Sequence, residues 1–435
     1  MKRSLVLLGL AGAATLGVPA ADATPTYARQ TGLPCSACHT QFPELNAFGR
    51  QFKLDGYTMV TTATMEDKAA DSTRNFLLSL VAPLSVSLRN SYTETRLAEP
   101  GKANGTAVVP DMLSVYTGGE ITPNVGVFLE IGYDPVANTF AATMLDLRYA
   151  THGTLFGKPT TFGLTLNNQP TTQDVWNSTP VWGFPYGFSA VAPSPTAVPV
   201  VASAMGMVGL TALGYWNNAV YGEVGLYHAA QLGSSLPLDS TAMGVLKGVA
   251  PYWRVALTRD VGAGNLMIGT YGLSTDIYPT GVTGPANRFR DVAVDAQYQA
   301  DWGANSLTVL GSWIHEGQSW VAGGAANATN TLNTLRLGAI YHVGQLLGVG
   351  VSPFWATGTA DTVLYSPGAV GGSRTGSPDS QGLIGELDFN PWENLRVECQ
   401  YITYGKFNGA GSNYDGSGRN ASANNTLYVA LWLLY

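Results

Sequence analysis

The sequence predicts an all-β fold: a transmembrane antiparallel β-barrel of about 16 strands that follows a small, partly helical N-terminal module. Three observations predict it. From Asn75 onward, segments of about 10 residues alternate between apolar and polar positions. Short turns and long connections follow one another in alternation along these segments. Only 12% of the 435 residues are charged, against about 25% in an average protein.

The composition excludes several other classes of protein. With 45% apolar residues and a formal net charge of −7, the chain is unlike a disordered protein, which combines low hydrophobicity with high net charge. The negative charge also argues against a nucleic-acid binder with a basic surface. Three cysteines are too few for a disulfide framework.

Residues 1–23 have the pattern of a secretory signal peptide. Lys2 and Arg3 precede an apolar run over residues 5–14, and Ala21-Asp22-Ala23 supplies an A-x-A cleavage site. The alternative, a transmembrane helix, would need about 20 apolar residues. No later stretch reaches 18 uninterrupted apolar residues, so the sequence predicts that any membrane crossing is made by strands.

The strongest chemical motif is Cys35-Ser36-Ala37-Cys38-His39, which has the C-x-x-C-H pattern of c-type haem attachment. Two thiols three positions apart can both bond to the vinyl groups on one edge of a haem. The adjoining His39 then lies below the ring, where its imidazole can ligate the iron. The sequence therefore predicts one covalent haem c held by Cys35, Cys38 and His39, with His39 as an axial ligand.

Two other uses of a C-x-x-C pattern are a redox-active pair and a zinc site. A thioredoxin-like C-x-x-C needs a βαβ setting, which the flanking sequence does not have. A zinc site needs a second pair of ligands, and the one remaining cysteine, Cys399, is distant and single. Because Cys399 falls on an apolar face, it is interpreted as a small apolar residue.

The motif belongs to a predicted module spanning residues 24–70. Leu45, Phe48 and Phe52 fall on one face of a short helix that Gly56 ends. This face could cover one side of a haem. Met59 is a possible distal iron ligand, since a methionine ligand would raise the reduction potential; Met65 and, more remotely, His342 are further candidates. A linker methionine without such a role is the alternative for Met59.

Residues 75–435 are predicted to form the barrel. On one segment Val292 and Val294 share a face, and Asp291 and Asp295 share the other. A soluble sandwich would alternate as well, so the connections decide between the two. Short turns are predicted near Pro123, His152-Gly153, Asn217-Asn218, Gly262-Ala263-Gly264, Gly303-Ala304, Gly344 and Asn390-Pro391; long connections are predicted at about 93–108, 134–141, 169–202, 231–247, 275–287, 316–331, 357–380 and 405–423. This alternation is typical of periplasmic turns and extracellular loops.

An even number of strands returns both barrel ends to the periplasm. The charged residues predicted to face the lumen are Glu130, Asp146, Arg148, Glu223, Arg254, Asp295, Arg336, Glu386, Asp388, Arg396 and Glu398. They form either a mutually paired interior or a set of carboxylates that guides a divalent cation. The proline-rich connection 169–202 is interpreted as a surface lid; the alternative is a loop that folds into the pore mouth.

The N-terminal region resembles a known family. Ala28-Arg29-Gln30-Thr31-Gly32, the haem motif, Pro43, Leu45-Asn46, Phe48-Gly49-Arg50, Phe52-Lys53 and Gly56-Tyr57 agree in type and spacing with the fused monohaem cytochrome c–porins of the outer membrane of iron-oxidising bacteria. The agreement covers about 30 residues at the start of a barrel-length chain. The resemblance implies a single covalent haem and ferrous iron as electron donor.

These observations predict outer-membrane electron transfer in a Gram-negative bacterium. The protein would accept electrons from extracellular Fe(II) through its haem and pass them to a periplasmic electron carrier. The alternative is a diffusion porin whose haem module gates or senses; a third possibility, a soluble periplasmic cytochrome with a β domain, would need polar outer faces. No catalytic set of side chains is found, which favours a redox electron-transfer protein over a conventional enzyme. Outer-membrane lipid is an expected partner and nucleic acid is not.

Overall fold

The computed structural model describes residues 26–61, 64–68, 75–79, 83–134, 138–179, 184–203, 206–231 and 237–435. The predicted signal peptide, residues 1–23, lies outside the described residues. The other predicted elements can be compared with the structure.

The N-terminal module is built from short elements. They are α1 (Thr26–Thr31), α2 (Cys35–Cys38), β1 (His39–Gln41), β2 (Glu44–Leu45) and α3 (Ala47–Leu54). β1 and β2 form an antiparallel pair. The helix predicted around Phe48 begins later than expected, because Leu45 pairs in β2 and the Asn46 side chain caps α3 by accepting a hydrogen bond from the amide of Gly49.

A separate two-stranded sheet, β3 (Thr64–Lys68) with β4 (Asn75–Ser79), follows the module. The barrel was predicted to begin at Asn75, and this boundary is wrong by nine positions because the first barrel strand begins at Leu84. The alternating segment Asn75–Ser79 forms its backbone ladder with β3 and is not part of the barrel wall.

The remaining strands close into one antiparallel barrel. They are β5 (Leu84–Thr95), β6 (Thr106–Thr122), β7 (Val125–Asp134), β8 (Thr139–Leu155), β9 (Lys158–Asn167), β10 (Met207–Trp216), β11 (Val220–Ala229), β12 (Met243–Leu246), β13 (Val249–Val261), β14 (Gly264–Thr280), β15 (Asn287–Trp302), β16 (Asn305–Ser319), β17 (Thr329–Val343), β18 (Leu347–Gly358), β19 (Ser380–Trp392), β20 (Leu395–Lys406) and β21 (Thr426–Leu434). β12 and β13 both pair with β14, on either side of Gly248, which has a φ of 67°. They act as one interrupted strand, so the described wall has the predicted 16 strands.

The barrel closes through β21 and β5, from Thr426 opposite Thr95 to Leu434 opposite Ser87. Two backbone hydrogen bonds between Val86 and Tyr435, at 2.7 and 2.8 Å, continue this ladder to the last residue. Both ends of the barrel therefore lie on the same rim, as an even number of antiparallel strands requires.

Short turns and long connections alternate as predicted. Two turns lie further along than expected: β8 and β9 are joined at residues 156–157 and β19 and β20 at 393–394, instead of at His152-Gly153 and Asn390-Pro391. In the first case Phe156 and Gly157 both have positive φ angles, 52° and 73°, the conformation of a two-residue hairpin turn. A phenylalanine gives no sequence signal for that conformation.

The two faces of the wall differ as predicted. On β15, Val292 and Val294 are each 46% exposed on the outside, whereas Asp291 and Asp295 are 3% and 1% exposed on the inside. All eleven charged residues predicted to face the lumen lie on the inner face. Ten are buried, and Arg336 keeps an exposed side chain in the lumen. The outward apolar face and the closed sheet are those of an outer-membrane barrel.

Candidate functional site

The N-terminal module, which we define as residues 26–61, lies inside the barrel. Its side chains contact the inner face of strands around the circumference. The Tyr27 hydroxyl donates to the carbonyl oxygen of Val127 on β7 at 2.8 Å. The Tyr57 hydroxyl donates to Asp146 on β8 at 2.7 Å. On the opposite side, Arg396 of β20 donates to the Phe42 carbonyl oxygen at 3.1 Å.

Helix α3 contributes two buried cations to this docking. Arg50 donates to the Gln299 side chain on β15 at 2.6 Å. The Lys53 ammonium donates to the carbonyl oxygens of Thr172 and Asp174, at 2.7 and 2.8 Å. Burial, reinforced by the nearby Arg148 guanidinium, lowers the pKa of Lys53 from 10.5 to about 7.

The long connection between β9 and β10 also enters the barrel. We call its described residues, 168–179 and 184–203, the inward loop. Its interpretation as a surface lid is wrong, because residues 171–179 are all buried in the lumen. Asp174 organises the fold of this loop by accepting hydrogen bonds from the backbone amides of Trp176, Ser178 and Thr179, at 3.1 to 3.2 Å. An Asx-type arrangement of this kind has no periodic sequence signal.

The module, the inward loop and the wall share one apolar cluster. Leu54 of α3, Trp176 of the inward loop and Tyr221 of β11 belong to it. The Trp176 and Tyr221 rings meet edge to face with their centroids 5.2 Å apart. The lumen is therefore filled from one rim by the module and from the other by the inward loop, and the two meet inside the barrel.

The C-x-x-C-H segment is held by α3. The Asn46 side chain donates to the Ala37 carbonyl oxygen at 3.0 Å, and the Asn46 amide donates to the Cys38 carbonyl oxygen at 2.9 Å. Gly49 lies so close to the carbonyl group of Cys38 that a Cβ there would overlap it. Because Gly49 has no side chain, α2 and α3 can pack in direct backbone contact. The spacing of residues in the sequence gave no sign of this role.

Both thiols are free and half-buried. Burial raises the pKa of Cys35 to about 11, and the Glu393 carboxylate adds to this effect. Burial likewise raises the pKa of Cys38 to about 11. Both thiols are therefore protonated at neutral pH.

His39 is oriented for ligation. Its Nδ1–H donates to the Glu44 carbonyl oxygen at 3.3 Å, which leaves Nε2 available for a metal, as in most proteins with a ligating histidine. Burial lowers the pKa of His39 to about 4, so the imidazole is neutral. The Phe42 ring contacts His39 at a centroid distance of 5.5 Å and Trp432 of β21 at 5.3 Å.

Cys35, Cys38 and His39 all line one cavity between the module and the wall. Its empty volume, including the part open to solvent, is about 1640 Å³. Leu45 and Phe52 line it as predicted, whereas Phe48 is exposed. A second cavity of about 1180 Å³ shares Cys35 and His39 with the first and reaches the turn residues at the short-turn rim.

The cavity fits a large, partly polar organic group such as a haem. Two thiols and a neutral imidazole converge on it, and aromatic side chains cover much of its surface. It also contains orphaned polar atoms: neither amide atom of Asn177 has a hydrogen-bond partner among the described residues, and the same holds for the buried hydroxyl of Tyr186. Such a group left without a partner costs about 1–3 kcal/mol, so a ligand with polar substituents would relieve that cost.

The proposed distal ligands are placed as follows. The Met59 side chain is 39% exposed and is not among the described residues that line the cavity. The side chain of Met65 is outside the described part of the chain. His342 donates from Nε2 to the Gln41 side chain at 2.6 Å and does not line the cavity. Met59 as the distal iron ligand stays a prediction.

The structure adds cavity residues that the sequence reasoning missed. Met112 of β6 and Met144 of β8 line the cavity from the wall, and Asn177 and Tyr186 line it from the inward loop. The two methionines could have been assigned to the lumen from strand alternation. Their nearness to the haem motif could not, because it depends on the docking of the module.

The lumen carboxylates are mostly paired. Arg396 contacts Glu386, Asp388 and Glu398 at 3.1, 2.9 and 3.4 Å. This arrangement is the paired interior that one of the two interpretations predicted. In the part of the chain that the structure describes, no group of three or more His, Cys, Asp or Glu side chains is arranged to hold a metal ion. Among the same residues, no helix has the length and apolar character needed to cross a membrane.

No protein-family model matches the sequence, and no curated protein matches it significantly. The fold is similar to solved outer-membrane proteins. OmpF of Salmonella typhi, in a complex with daunomycin, is 12% identical, with a TM-score of 0.49 over 81% of this chain and 97% of that chain. OmpT of Vibrio cholerae is 10% identical, with a TM-score of 0.45 over 87% of this chain and 100% of that chain. The channel DcaP of Acinetobacter baumannii is 10% identical, with a TM-score of 0.47 over 81% of this chain and 96% of that chain.

Proposed function

We propose that this protein conducts electrons across the outer membrane, from extracellular ferrous iron to a periplasmic electron carrier, through one covalently bound c-type haem. The observation that carries the proposal is the position of Cys35, Cys38 and His39 on a large cavity inside the barrel. This position supports a site that lies within the membrane-spanning structure instead of on a separate periplasmic domain.

Each part of the site has a defined role in this proposal. The thiols of Cys35 and Cys38 would hold the haem by thioether bonds, and His39 Nε2 would ligate its iron, while the Glu44 carbonyl oxygen fixes the other ring nitrogen. Phe42, Trp432 and other aromatic rings give the cavity an apolar lining. When bound, the haem supplies one-electron redox chemistry.

The two cavities give the site two sides. The first cavity extends between the module and the wall, and the second continues from Cys35 and His39 to the short-turn rim, which we assign to the periplasm. A single haem cannot relay electrons through a hydrocarbon layer about 30 Å thick unless it lies within the barrel or its donor enters the barrel. The net charge of −7 favours the approach of a cation.

The test is to mix the oxidised protein in detergent with ferrous iron and to follow the haem absorbance in a stopped-flow instrument. We expect fast reduction that slows with added salt and slows in Glu386→Gln with Asp388→Asn. Glu99→Gln, which changes an exposed loop carboxylate paired with Lys102, is the control and should leave the rate unchanged. The reduction potential of each variant separates a slower encounter from a changed driving force.

A haem that stays oxidised despite a favourable measured potential would contradict iron oxidation. The alternative is a diffusion porin whose haem module gates or senses and does not conduct electrons. The module and the inward loop, which both occupy the lumen, speak against a wide diffusion channel. That alternative predicts a large single-channel conductance in planar bilayers that changes with haem redox state. The conduit proposal predicts a small conductance in both redox states.

A further inference from the structure

We propose that the inward loop is part of the haem site and that Asn177 and Tyr186 donate hydrogen bonds to the carboxylates of the bound haem. This inference rests on the proposed function, because it needs the haem that Cys35, Cys38 and His39 would hold. It adds a second, non-covalent binding element that comes from a different part of the chain.

Asn177 carries the argument. Its side chain is 1% exposed, lines the cavity of the C-x-x-C-H segment, and has no hydrogen-bond partner at either amide atom among the described residues. The side chains of the next two residues of the inward loop are paired: the Ser178 hydroxyl donates to Asp295, and the Thr179 hydroxyl donates to Asp174 at 3.0 Å. Buried amides in proteins are paired as a rule. An unpaired amide that faces a large cavity therefore indicates a polar ligand in that cavity.

Tyr186 supplies an independent second donor. Tyr186 belongs to the second described part of the inward loop, residues 184–203, and lines the same cavity. Its hydroxyl is buried and has no hydrogen-bond partner among the described residues. The Tyr27 and Tyr57 hydroxyls, which also line the cavity, donate to Val127 and Asp146. The unpaired hydroxyl is thus a property of Tyr186 and not of every tyrosine at this site.

The ligand chemistry follows from these donors. An amide N–H and a phenol O–H both suit an acceptor oxygen, and a haem carries two carboxylates that must be hydrogen-bonded or solvated when they are buried. Donors that bind the ionised form of a carboxylic acid lower its pKa. Removal of one donor should therefore move the haem carboxyl titration to higher pH.

The experiment compares Asn177→Leu and Tyr186→Phe with the unmodified full-length protein. The reduction potential is measured from pH 5 to 9, and haem stain and absorbance report haem content. We expect full covalent haem in both variants and an upward shift, by about one pH unit per lost donor, of the pH at which the potential changes. The control is Asn168→Leu, because Asn168 lies on the same loop but bonds Leu145 and Thr143; its profile should match the unmodified protein.

Two failures can be told apart. If the unmodified protein carries no covalent haem, the proposed function fails. If haem is present and both variants keep the pH profile of the unmodified protein, or shift no further than Asn168→Leu, the loop contact is wrong and the haem assignment stands. A variant that does not fold would migrate on a gel at the same position before and after heating. In that case Asn177→Ser replaces Asn177→Leu.

A separate observation concerns the second axial ligand, and it also rests on the proposed haem. Among the described residues that line the cavity, the thioethers are those of Met112 and Met144, and His39 is the imidazole. The hydroxyls of Tyr27 and Tyr57 and the ammonium of Lys53 are bonded elsewhere, and the Tyr186 hydroxyl is the donor assigned above to the haem carboxylates. The geometry points to a sixth ligand from the barrel wall, from Met112 or Met144, instead of from Met59.

Leucine variants at the three methionines test this inference. We expect either Met112→Leu or Met144→Leu to lose the low-spin, six-coordinate spectrum. The same variant should have a lower reduction potential and an unchanged haem content. Met59→Leu is the matched control and should keep the unmodified spectrum. The proposal of a wall ligand would be wrong if both wall variants keep the low-spin spectrum. It would also be wrong if Met59→Leu loses that spectrum.

Discussion

Three buried basic side chains, Lys53, Arg148 and Arg254, connect the module, the inward loop and the wall. Arg148 donates to the Lys53 carbonyl oxygen at 3.1 Å and pairs with Asp146 at 2.8 Å. Arg254 pairs with Asp295 at 2.7 Å and lies 5.4 Å from the Trp176 ring centroid. Buried charges are costly unless they are paired, so the loss of one partner should disturb all three parts of the lumen.

Lys53 gives docking of the module a pH dependence. The folded protein loses the Lys53 proton near pH 7, whereas the unfolded chain keeps it until about 10.5. Within that window the unfolded state binds more protons, so stability rises with pH. We expect protection of the module from protease to increase from pH 7 to 9. Lys53→Met should remove this increase, and Lys102→Met, on an exposed loop, should keep it.

The outer face of the barrel should tolerate charge poorly. Val294 lies midway along β15 and is 46% exposed to the membrane side. Val294→Arg should lower the free energy of unfolding in lipid vesicles by about 2–4 kcal/mol, as measured by denaturant titration. Val321→Arg, in a loop where the side chain is 71% exposed, is the control. Equal, small effects at both positions would contradict a membrane-embedded face.

At the scale of elements, the module contacts the wall at glycine residues of two neighbouring strands. Gly118 and Gly126, on β6 and β7, face Tyr27 and the turn at Gly56. A Cβ at Gly126 would overlap the Gly56 carbonyl oxygen, and Gly56 has a φ of 72° that holds this turn in place. The absence of side chains on this part of the wall thus makes room for backbone of the module.

Gly126→Ala should therefore weaken docking of the module while the barrel stays closed. Overpacking of this kind costs about 1–3 kcal/mol, and the backbone oxygen that it meets cannot rotate away. Faster proteolysis within residues 26–61, with unchanged heat-modifiable migration of the barrel on a gel, is the expected result. Gly222→Ala on β11 is the matched control, because a Cβ there meets nothing within 4 Å. Equal proteolysis of the two variants would show that the module does not depend on this contact.

At the scale of the whole molecule, the barrel closes without the haem motif. The ladder from β5 to β21 is complete in itself, and Cys35 and Cys38 contribute no strand to it. Cys35→Ala with Cys38→Ala should therefore fold into the membrane with normal heat-modifiable migration and give no haem stain. Ser36→Ala, which alters the same segment but leaves both thiols, should keep the stain. If the double variant loses both signals, the module and the barrel fold as one obligate unit.

The sequence predicted what local patterns encode. Alternation along β15 placed Asp291 and Asp295 in the lumen and Val292 and Val294 outside, and the strand count followed from the connections. Errors arose where no local pattern exists. The turn at Phe156 uses a positive φ in a residue type that rarely adopts it, and the segment Asn75–Ser79 alternates like a barrel strand although it pairs elsewhere.

The sequence by itself determined the antiparallel strands, their two faces and the Cys35–His39 motif, because each depends on residues that are near one another in the chain. Only the tertiary structure decided that the module and the inward loop both enter the lumen. It also decided that Asn177 and Met112 line the cavity of the haem motif and that Met59 does not. These contacts join residues far apart in sequence, such as Ser36 with Glu393. They follow from the satisfaction of buried charges and hydrogen bonds inside a closed barrel, which leaves no periodicity in the sequence.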